Sequence, residues 1–452
     1  MNHPLLRHAK RSLAALAIAS ALTPGLACSQ TLEQAVANTL DTNPAIRQAF
    51  NQFKAREEQV NQAQAGYLPT IDLTAGIGRE EVDNPVSRAK GGTTSLNRGE
   101  AGVSIKQVLF DGFRTANEVD RFSREASSEQ WKLYGTAENK ALDAVKVYLN
   151  YLRAKQVVVL SEKNLKSHEE TYDQIKQKTE YGLGSTADLS QVTGRLARAR
   201  ANLISAKNNL LDTESQFFRV VNQAPKDLIK PMPDTSMLPK DLKAALEEAK
   251  ANQPALHSAM NDIEAARFER KSAKSNYYPE VSVELNGGWN NNLGGTEGYA
   301  NDLQAMVRMR YNLFNGGSDS AREREASYKL GQAQEIEQNT FREVVEGTTL
   351  AWNASESLLQ QMKFLKEHVI AAKQTLEAYD QQFRIGQRTL LDVLDAENEL
   401  FNARKDYINA EYDHLIAQYR ILNATGSLLS SLRVTAPDIW QGEDQYEGGI
   451  TR

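Results

Sequence analysis

The sequence predicts an α+β membrane protein: four strands of barrel-wall type attached to helices far longer than those of a globular domain, with that unit present twice. Three observations carry the prediction. They are an internal duplication, four segments that alternate between apolar and polar residues, and two Pro-free tracts of roughly 65 residues each.

The duplication sets the organisation. Asn43-Pro44-Ala45-Ile46 returns as Gln253-Pro254-Ala255-Leu256, and Gly66-Tyr67-Leu68-Pro69 as Asn276-Tyr277-Tyr278-Pro279, both 210 positions later. Leu109-Phe110-Asp111-Gly112 returns as Leu313-Phe314-Asn315-Gly316, and Gly182 and Asp188 as Gly386 and Asp392, 204 positions later. Phe218-Arg219-Val220-Val221-Asn222 matches Tyr419-Arg420-Ile421-Leu422-Asn423 at 201. The chain therefore divides into a first repeat at 30–224, a linker at 225–239, a second repeat at 240–426 and a C-terminal tail at 427–452. Each repeat reads helix, two strands, very long helix, break, helix.

The strands show as period-two alternation. Tyr67, Pro69, Ile71, Leu73, Ala75 and Ile77 face one way, with Thr70, Asp72, Thr74 and Gly76 opposite. Ala101, Val103, Ile105 and Leu109 alternate with Gly102, Ser104 and Lys106. In the second repeat Val281, Val283, Leu285 and Trp289 alternate with Glu280, Ser282, Glu284 and Asn286. Leu303, Ala305, Val307, Met309, Tyr311 and Leu313 alternate with Gln304, Arg308, Arg310 and Asn312. A half-buried sheet of a soluble domain gives the same pattern, but little else in this sequence could cover such a face. Segments of about 10 residues with one apolar face suit a transmembrane barrel. The polar stretches Arg79 to Gly99 and Asn290 to Asp302 read as long hairpin loops.

The rest is helical. Gly112 to about Lys178 and Gly316 to about Phe383 contain no Pro, and at 1.5 Å per residue each spans about 100 Å. After each break a seven-residue spacing appears. Leu189, Leu196, Leu203, Leu210 and Phe217 form one row, beside Val192, Ala199, Ala206, Thr213 and Val220. Val393, Leu400, Tyr407, His414 and Ile421 form the second copy's row, beside Ala396, Ala403, Ala410, Ala417 and Ala424.

Residues 1–29 read as a secretory signal: Arg7, Lys10 and Arg11, an apolar run from Ser12 to Leu22, then small residues at Ala27 and Ser29. Cys28 is the only cysteine, so a disulfide within the chain is impossible. A cysteine there could take a lipid, but Gly25 stands where Leu is expected. Mean hydropathy of -0.54 excludes a helical membrane protein. The net charge of -5 does not favour nucleic acid. There is no HExxH, GxxxxGK[ST], GxSxG or dinucleotide glycine motif, so no catalytic, cofactor-binding or metal residues are expected, and no cofactor.

Four strands cannot close a barrel alone, and an open edge in lipid leaves backbone groups unpaired at several kcal/mol each. The chain must pool strands with copies of itself. Helices of about 100 Å attached to one end of such a barrel make a continuous tube, which is a duct.

These residues resemble the TolC family of outer-membrane channels over nearly all of residues 31 to 430. Each motif is weak alone; the ordered, duplicated set is specific: Asn43-Pro44 and its copy, the Tyr-x-Pro strand starts, Phe110-Asp-Gly, Phe314-Asn-Gly-Gly, and Gly386-Gln-Arg388-Thr389-Leu-Leu-Asp392-Val-Leu-Asp395-Ala-Glu. Gly78-Arg79-Glu80, Leu96-Asn97-Arg98-Gly99-Glu100 and Glu397-Asn398-Glu399-Leu400-Phe401 are similar to the type I secretion branch that exports large surface adhesins. The resemblance implies a homotrimer in the outer membrane, with a 12-stranded barrel continuous with a helical barrel in the periplasm. It also implies a periplasmic membrane-fusion adaptor, an inner-membrane ABC transporter and an exported protein as partners, beside outer-membrane lipid.

Site residues follow from the same motifs. The breaks Tyr181-Gly182-Leu183-Gly184-Ser185 and Ile385-Gly386-Gln387-Arg388-Thr389 are hairpin tips, where glycine permits the turn. The resemblance implies that they also dock the adaptor. Asp392 and Asp395, three apart, share a helix face; in the family they line the entrance as carboxylate rings, a cation-selective arrangement. Crowding of these like charges is expected to raise some of their pKa values. Arg388 matches a family arginine that holds the entrance closed, and Asp188 its acidic partner. Phe383 stands where some members have Tyr, and Ala187 where they have Thr. The leading function is thus the channel of an ABC-transporter-driven secretion system. The alternatives are a drug or metal efflux duct served by a proton-driven pump, and a periplasmic coiled-coil scaffold.

Overall fold

A computed structural model describes residues 29–89, 91–442 and 446–450. The signal sequence up to Cys28, and with it the lipid question, lies outside the described residues.

Each repeat opens with two helices split by a proline. Helix α1 (Leu32–Thr42) starts at Thr31 in a capping box with Gln34. Asn43 caps the next helix and Pro44 occupies its first turn, so α2 (Pro44–Gln64) restarts at an angle. Strand β1 (Thr70–Val82), the short helix α3 (Pro85–Ala89) and strand β2 (Thr94–Phe110) follow. Asp111 then accepts from the amides of Arg114 (2.9 Å) and Thr115 (2.8 Å), capping α4 (Arg114–Glu180). Gly112 lies at φ +69, and a Cβ there would sit 2.5 Å from the Ser275 carbonyl. That collision explains the Asp-Gly of the first copy. The return helix is α5 (Thr186–Val221).

The second repeat runs α6 (Leu242–Asn252), α7 (Pro254–Ala273), β3 (Glu280–Asn291), β4 (Tyr299–Arg310), α8 (Ser318–Arg384) and α9 (Leu390–Ala424). A final turn, α10 (Leu428–Ser431), leads into the tail.

The four strands form one antiparallel sheet in the order β1-β2-β3-β4. Register aligns the apolar residues across all four. Ile71 pairs Ile105, which pairs Leu285, which pairs Ala305; Leu73, Val103, Gly287 and Leu303 form the next row. This face is bare: Ile77 is 94% and Leu303 87% exposed. The opposite face carries ion pairs, Lys106 to Glu280 at 2.9 Å and Arg308 to Glu284 at 2.9 Å.

The predicted loops were too long. Strand β1 runs to Val82 and β2 starts at Thr94; β3 ends at Asn291 and β4 starts at Tyr299. Beyond the apolar band both faces are polar, so alternation vanishes although the backbone ladder continues. Arg98 to Glu80 at 3.0 Å and Arg79 to Ser95 at 2.9 Å hold that polar extension. Conversely Tyr67 and Pro69 precede the strand, Tyr67 in a 3-10 turn, and Tyr311 and Leu313 follow β4. Ser282, expected on an open polar face, is buried.

The main core joins α1, α2, the upper middle of α4, the ends of α5 and α9, and the tail, with Phe53, Leu133, Tyr148, Phe217, Leu422 and Leu428 at its centre. Along α5 the row Val192, Ala199, Ala206, Thr213 and Val220 is buried throughout, whereas Leu189, Leu203 and Leu210 are only partly covered. On α9 the buried row is Ala396, Ala403, Ala410 and Ala417. The small residues are the seam, because they let neighbouring helices approach closely.

Candidate functional site

The two breaks are built alike. Leu183 donates to the Lys178 carbonyl (2.8 Å) and Gly182 to that of Thr179 (3.0 Å); Gln387 donates to Gln382 (2.8 Å) and Gly386 to Phe383 (3.0 Å). Both are Schellman closures, with Gly182 at φ +72 and Gly386 at φ +79 in the left-handed position. The chain then re-enters a helix through a cap. Ser185 accepts from Ala187 at 3.1 Å, and Thr389 closes a capping box with Asp392. Gly184 has a second reason to be glycine: a Cβ would lie 2.7 Å from Thr179 Oγ1.

The two tips are joined by a small apolar knot of Ile175, Val192, Leu390 and Leu394, with Tyr172, Leu189 and Phe383 around it. The Lys178 ammonium sits 5.4 Å above the Phe383 ring, a contact available without a Tyr hydroxyl. Below the knot the tip side chains project freely, with Leu183 82% and Ile385 69% exposed. Gln387 and Arg388 are exposed as well.

Asp392 and Asp395 do share a face. They line a groove of about 430 Å³ between α8 and α9, together with His368, Tyr379 and Glu399. Each carboxylate is already engaged within the chain. Asp392 accepts from the Thr389 hydroxyl (2.8 Å) and amide (3.2 Å). Those bonds, in that order, with Arg388 adding to them, hold its carboxyl below the usual carboxylate range. The expected upward shift is therefore not found for Asp392 within one chain, because the cap stabilises the charged form. Asp395 pairs with Arg195 on α5.

Arg388 is not brought to Asp188. Its Nε donates to Gln382 at 3.0 Å, its guanidinium stacks 4.3 Å from the Tyr379 ring, and Asp392 lies at 3.9 Å. Asp188 occupies the first turn of α5, where a helix N-terminus favours an acid. Within the chain, the tie between α5 and α9 is thus Arg195 to Asp395. Sequence reasoning missed Arg195, although it lies one heptad beyond Asp188.

A second tie crosses between α4 and α9. His168 Nδ1 lies 3.3 Å from Glu397 Oε2, with both side chains buried. Burial lowers the His168 pKa despite the Glu397 charge. Glu399, from the same motif, meets His368 at 2.9 Å. Among the described residues no group of three or more His, Cys, Asp or Glu could hold a metal, and no helix is long and apolar enough to cross a membrane.

With this geometry in hand, comparison places the chain among known proteins. A family model described as outer membrane efflux protein matches residues 35–223 and 245–427. The chain is 26% identical to the outer membrane efflux protein BepC of Brucella suis, covering 99% of this chain and 95% of that one. It is 24% identical to the outer membrane protein TolC of Vibrio cholerae (86% and 89%). It is 21% identical to the alkaline protease secretion protein AprF of Pseudomonas aeruginosa (80% and 78%). Among solved structures, the CmeC outer membrane channel of Campylobacter jejuni superposes with a TM-score of 0.78 at 16% identity, over 88% of this chain and 86% of that one.

Proposed function

We propose that this chain, which belongs to the outer membrane efflux protein family, is the outer-membrane exit duct of an ABC-transporter-driven, type I protein secretion system, with a large surface adhesin as its cargo class. The fold is the TolC-like one, in which three chains of four strands close a 12-stranded barrel in the outer membrane that continues into a helical barrel in the periplasm. The bare apolar rows of β1 to β4 then face lipid, and the ion-paired face lines the lumen.

The observation that carries the duct reading is the sheet itself: in-register apolar rows ending in unpaired edges at β1 and β4. Such edges are untenable in lipid unless copies pair with them. Secretion is supported by the motif residues and by the relative named for alkaline protease secretion. The adaptor partner is supported by the exposed tips, where Leu183 and Gln387 project and Gly182, Gly184, Ser185, Gly386 and Thr389 shape the turns and caps. We assign the gate to Asp392, Asp395 and Arg388 with Asp188. For Arg388 to reach Asp188 in the trimer it would give up its bond to Gln382, its stacking on Tyr379 and its 3.9 Å contact with Asp392.

Efflux is the second reading, favoured by the relative named as an efflux protein. Deletion of the gene followed by proteomics of the culture medium and cell surface separates the two. Loss of one large surface protein supports secretion. An unchanged set of exported proteins with new sensitivity to toxic small molecules overturns it in favour of efflux.

A further inference from the structure

The tail lies beside α4. Near its start the Leu429 amide donates to buried Glu138 (3.2 Å), and farther on Arg124 donates to the Glu447 carbonyl. Along the way Trp440 is buried, and Gln130 Nε2 donates to its carbonyl at 2.9 Å. The last described segment, Tyr446 to Ile450, is held through both side chains and backbone: the Glu447 carboxylate pairs with Arg124 at 2.8 Å, and Tyr446 packs against the main core. Arg124 (2.8 Å) and Ser127 (3.2 Å) donate to the Glu447 carbonyl. Trp131 Nε1 (2.8 Å) and Asn261 Nδ2 (3.1 Å) donate to the Gly448 carbonyl. Ile450 donates its amide to Gln130 Oε1 at 3.0 Å.

Three features mark this as a built site. Ser127, Gln130 and Asn261 are buried polar residues aimed at the segment. Trp131 is fixed by stacking on His257 at 4.2 Å. Gly448 lies at φ +79, and a Cβ there would come within 2.3 Å of Asn261 Oδ1 and 2.7 Å of Arg124. The left-handed backbone at this position therefore favours glycine.

We propose that the α4–α7 seam is a peptide-docking site for a Glu-Gly-Gly segment, read through the Glu447 carboxylate and the Glu447 and Gly448 carbonyls, that it is occupied by the chain's own tail, and that the docked segment straps the two repeats together. The Gly448 carbonyl is the staple: it accepts from Trp131 on α4, in the first repeat, and from Asn261 on α7, in the second. Beside it the Ser128 and Ser258 hydroxyls share a buried hydrogen bond of 2.9 Å across the same seam.

The test uses trimers of the full chain and of a chain ending at Gly442, purified in detergent, with a fluorescent peptide of sequence 442–450. The shortened trimer binds the peptide saturably, the full-length trimer does not because its site is filled, and a peptide carrying Gly448→Val does not bind either. Absence of binding to the shortened trimer, or equal binding of the Val peptide, overturns the proposal. Should the shortened chain fail to assemble, full-length Gly448→Val decides. Its tail is cleaved by added protease about tenfold faster than the parent's, since cleavage follows the undocked population. Unchanged cleavage overturns the proposal.

Discussion

Helices α4 and α8 are counterparts, 67 residues each, with breaks 204 positions apart. Their surroundings differ sharply. Along α4, 22 side chains are buried; along α8 only Ala326, Thr348, Ala351 and Ala372 are. Among the described residues α4 packs mainly on α2, α5, α7 and α9 and also meets α1, while α8 packs mainly on α7 and α9, with the short α6 beside it. Yet α8 carries Tyr328, Ile336, Leu359 and Phe364, all exposed. Duplicated sequence has thus given two helices with different surroundings: α4 organises the chain, and α8 leaves an apolar flank uncovered within it. The strands repeat the contrast, with β2 and β3 paired on both sides and β1 and β4 left as edges.

The strongest way to break this comparison is through the sheet. Val283→Asp or Val307→Asp sets a charge on the lipid face, at roughly 1–3 kcal/mol per chain, and trimers should be lost from outer-membrane fractions. Gln304→Asp, on the polar face, should assemble normally. Ser282, on the same face, is buried and would not serve as such a control. Equal trimer yields would reverse the assignment of faces.

The helices give the next largest effect. Leu133→Ala empties a fully buried position on α4 and should cost about 2–5 kcal/mol, read as a lower melting temperature of the whole chain. Phe364→Ala on α8 should leave the helical circular dichroism intact but lower the temperature at which the trimer dissociates in detergent. A variant of α8 that behaves like that of α4 would remove the distinction.

Glu138 sharpens it from within α4. Burial pushes its carboxyl up to about 7, opposed by the amides of Leu429 and Leu428. The folded state therefore favours the neutral acid, so stability is greatest below about pH 4.5 and falls as pH rises through 7. Glu138→Gln should flatten that dependence and be more stable than the parent by roughly 2–3 kcal/mol at pH 8. Parallel melting curves between pH 5 and 8 would contradict it.

The smallest free energies sit at the proposed gate. Arg195→Ala removes a partly exposed pair worth about 0–1 kcal/mol, and on the gate proposal resting conductance should rise. Arg388→Ser should act in the same direction. Asp392→Ala with Asp395→Ala should abolish block by multivalent cations. Single-channel recording reads all three, and wild-type behaviour throughout would place the gate elsewhere.

Much of this architecture was legible in the residues. Alternation located the apolar band of all four strands, because lipid-type burial imposes period two. Gly182 and Gly386 located the tips, because the left-handed turn needs them. The polar strand ends were not legible, since a wet ladder such as Arg79 opposite Asn97 leaves no hydropathy signal. Arg195 was hidden for another reason: it looks like any solvated heptad residue until α9 is laid against it. The tail's contacts were hidden because several go to main-chain carbonyls, and a glycine at positive φ such as Gly448 is a faint mark of them.

The uninterrupted course of α4 has a mechanical consequence. From Leu152, the last residue of α4 in the main core, to Glu180 the helix runs 28 residues, a lever arm of about 42 Å. A pivot of roughly 10° at that fulcrum carries the tip through about 7 Å at this rise per residue. Side-chain adjustments of an ångström or two at the edge of the core are thus magnified several-fold at the far end, and no bend in the helix is required.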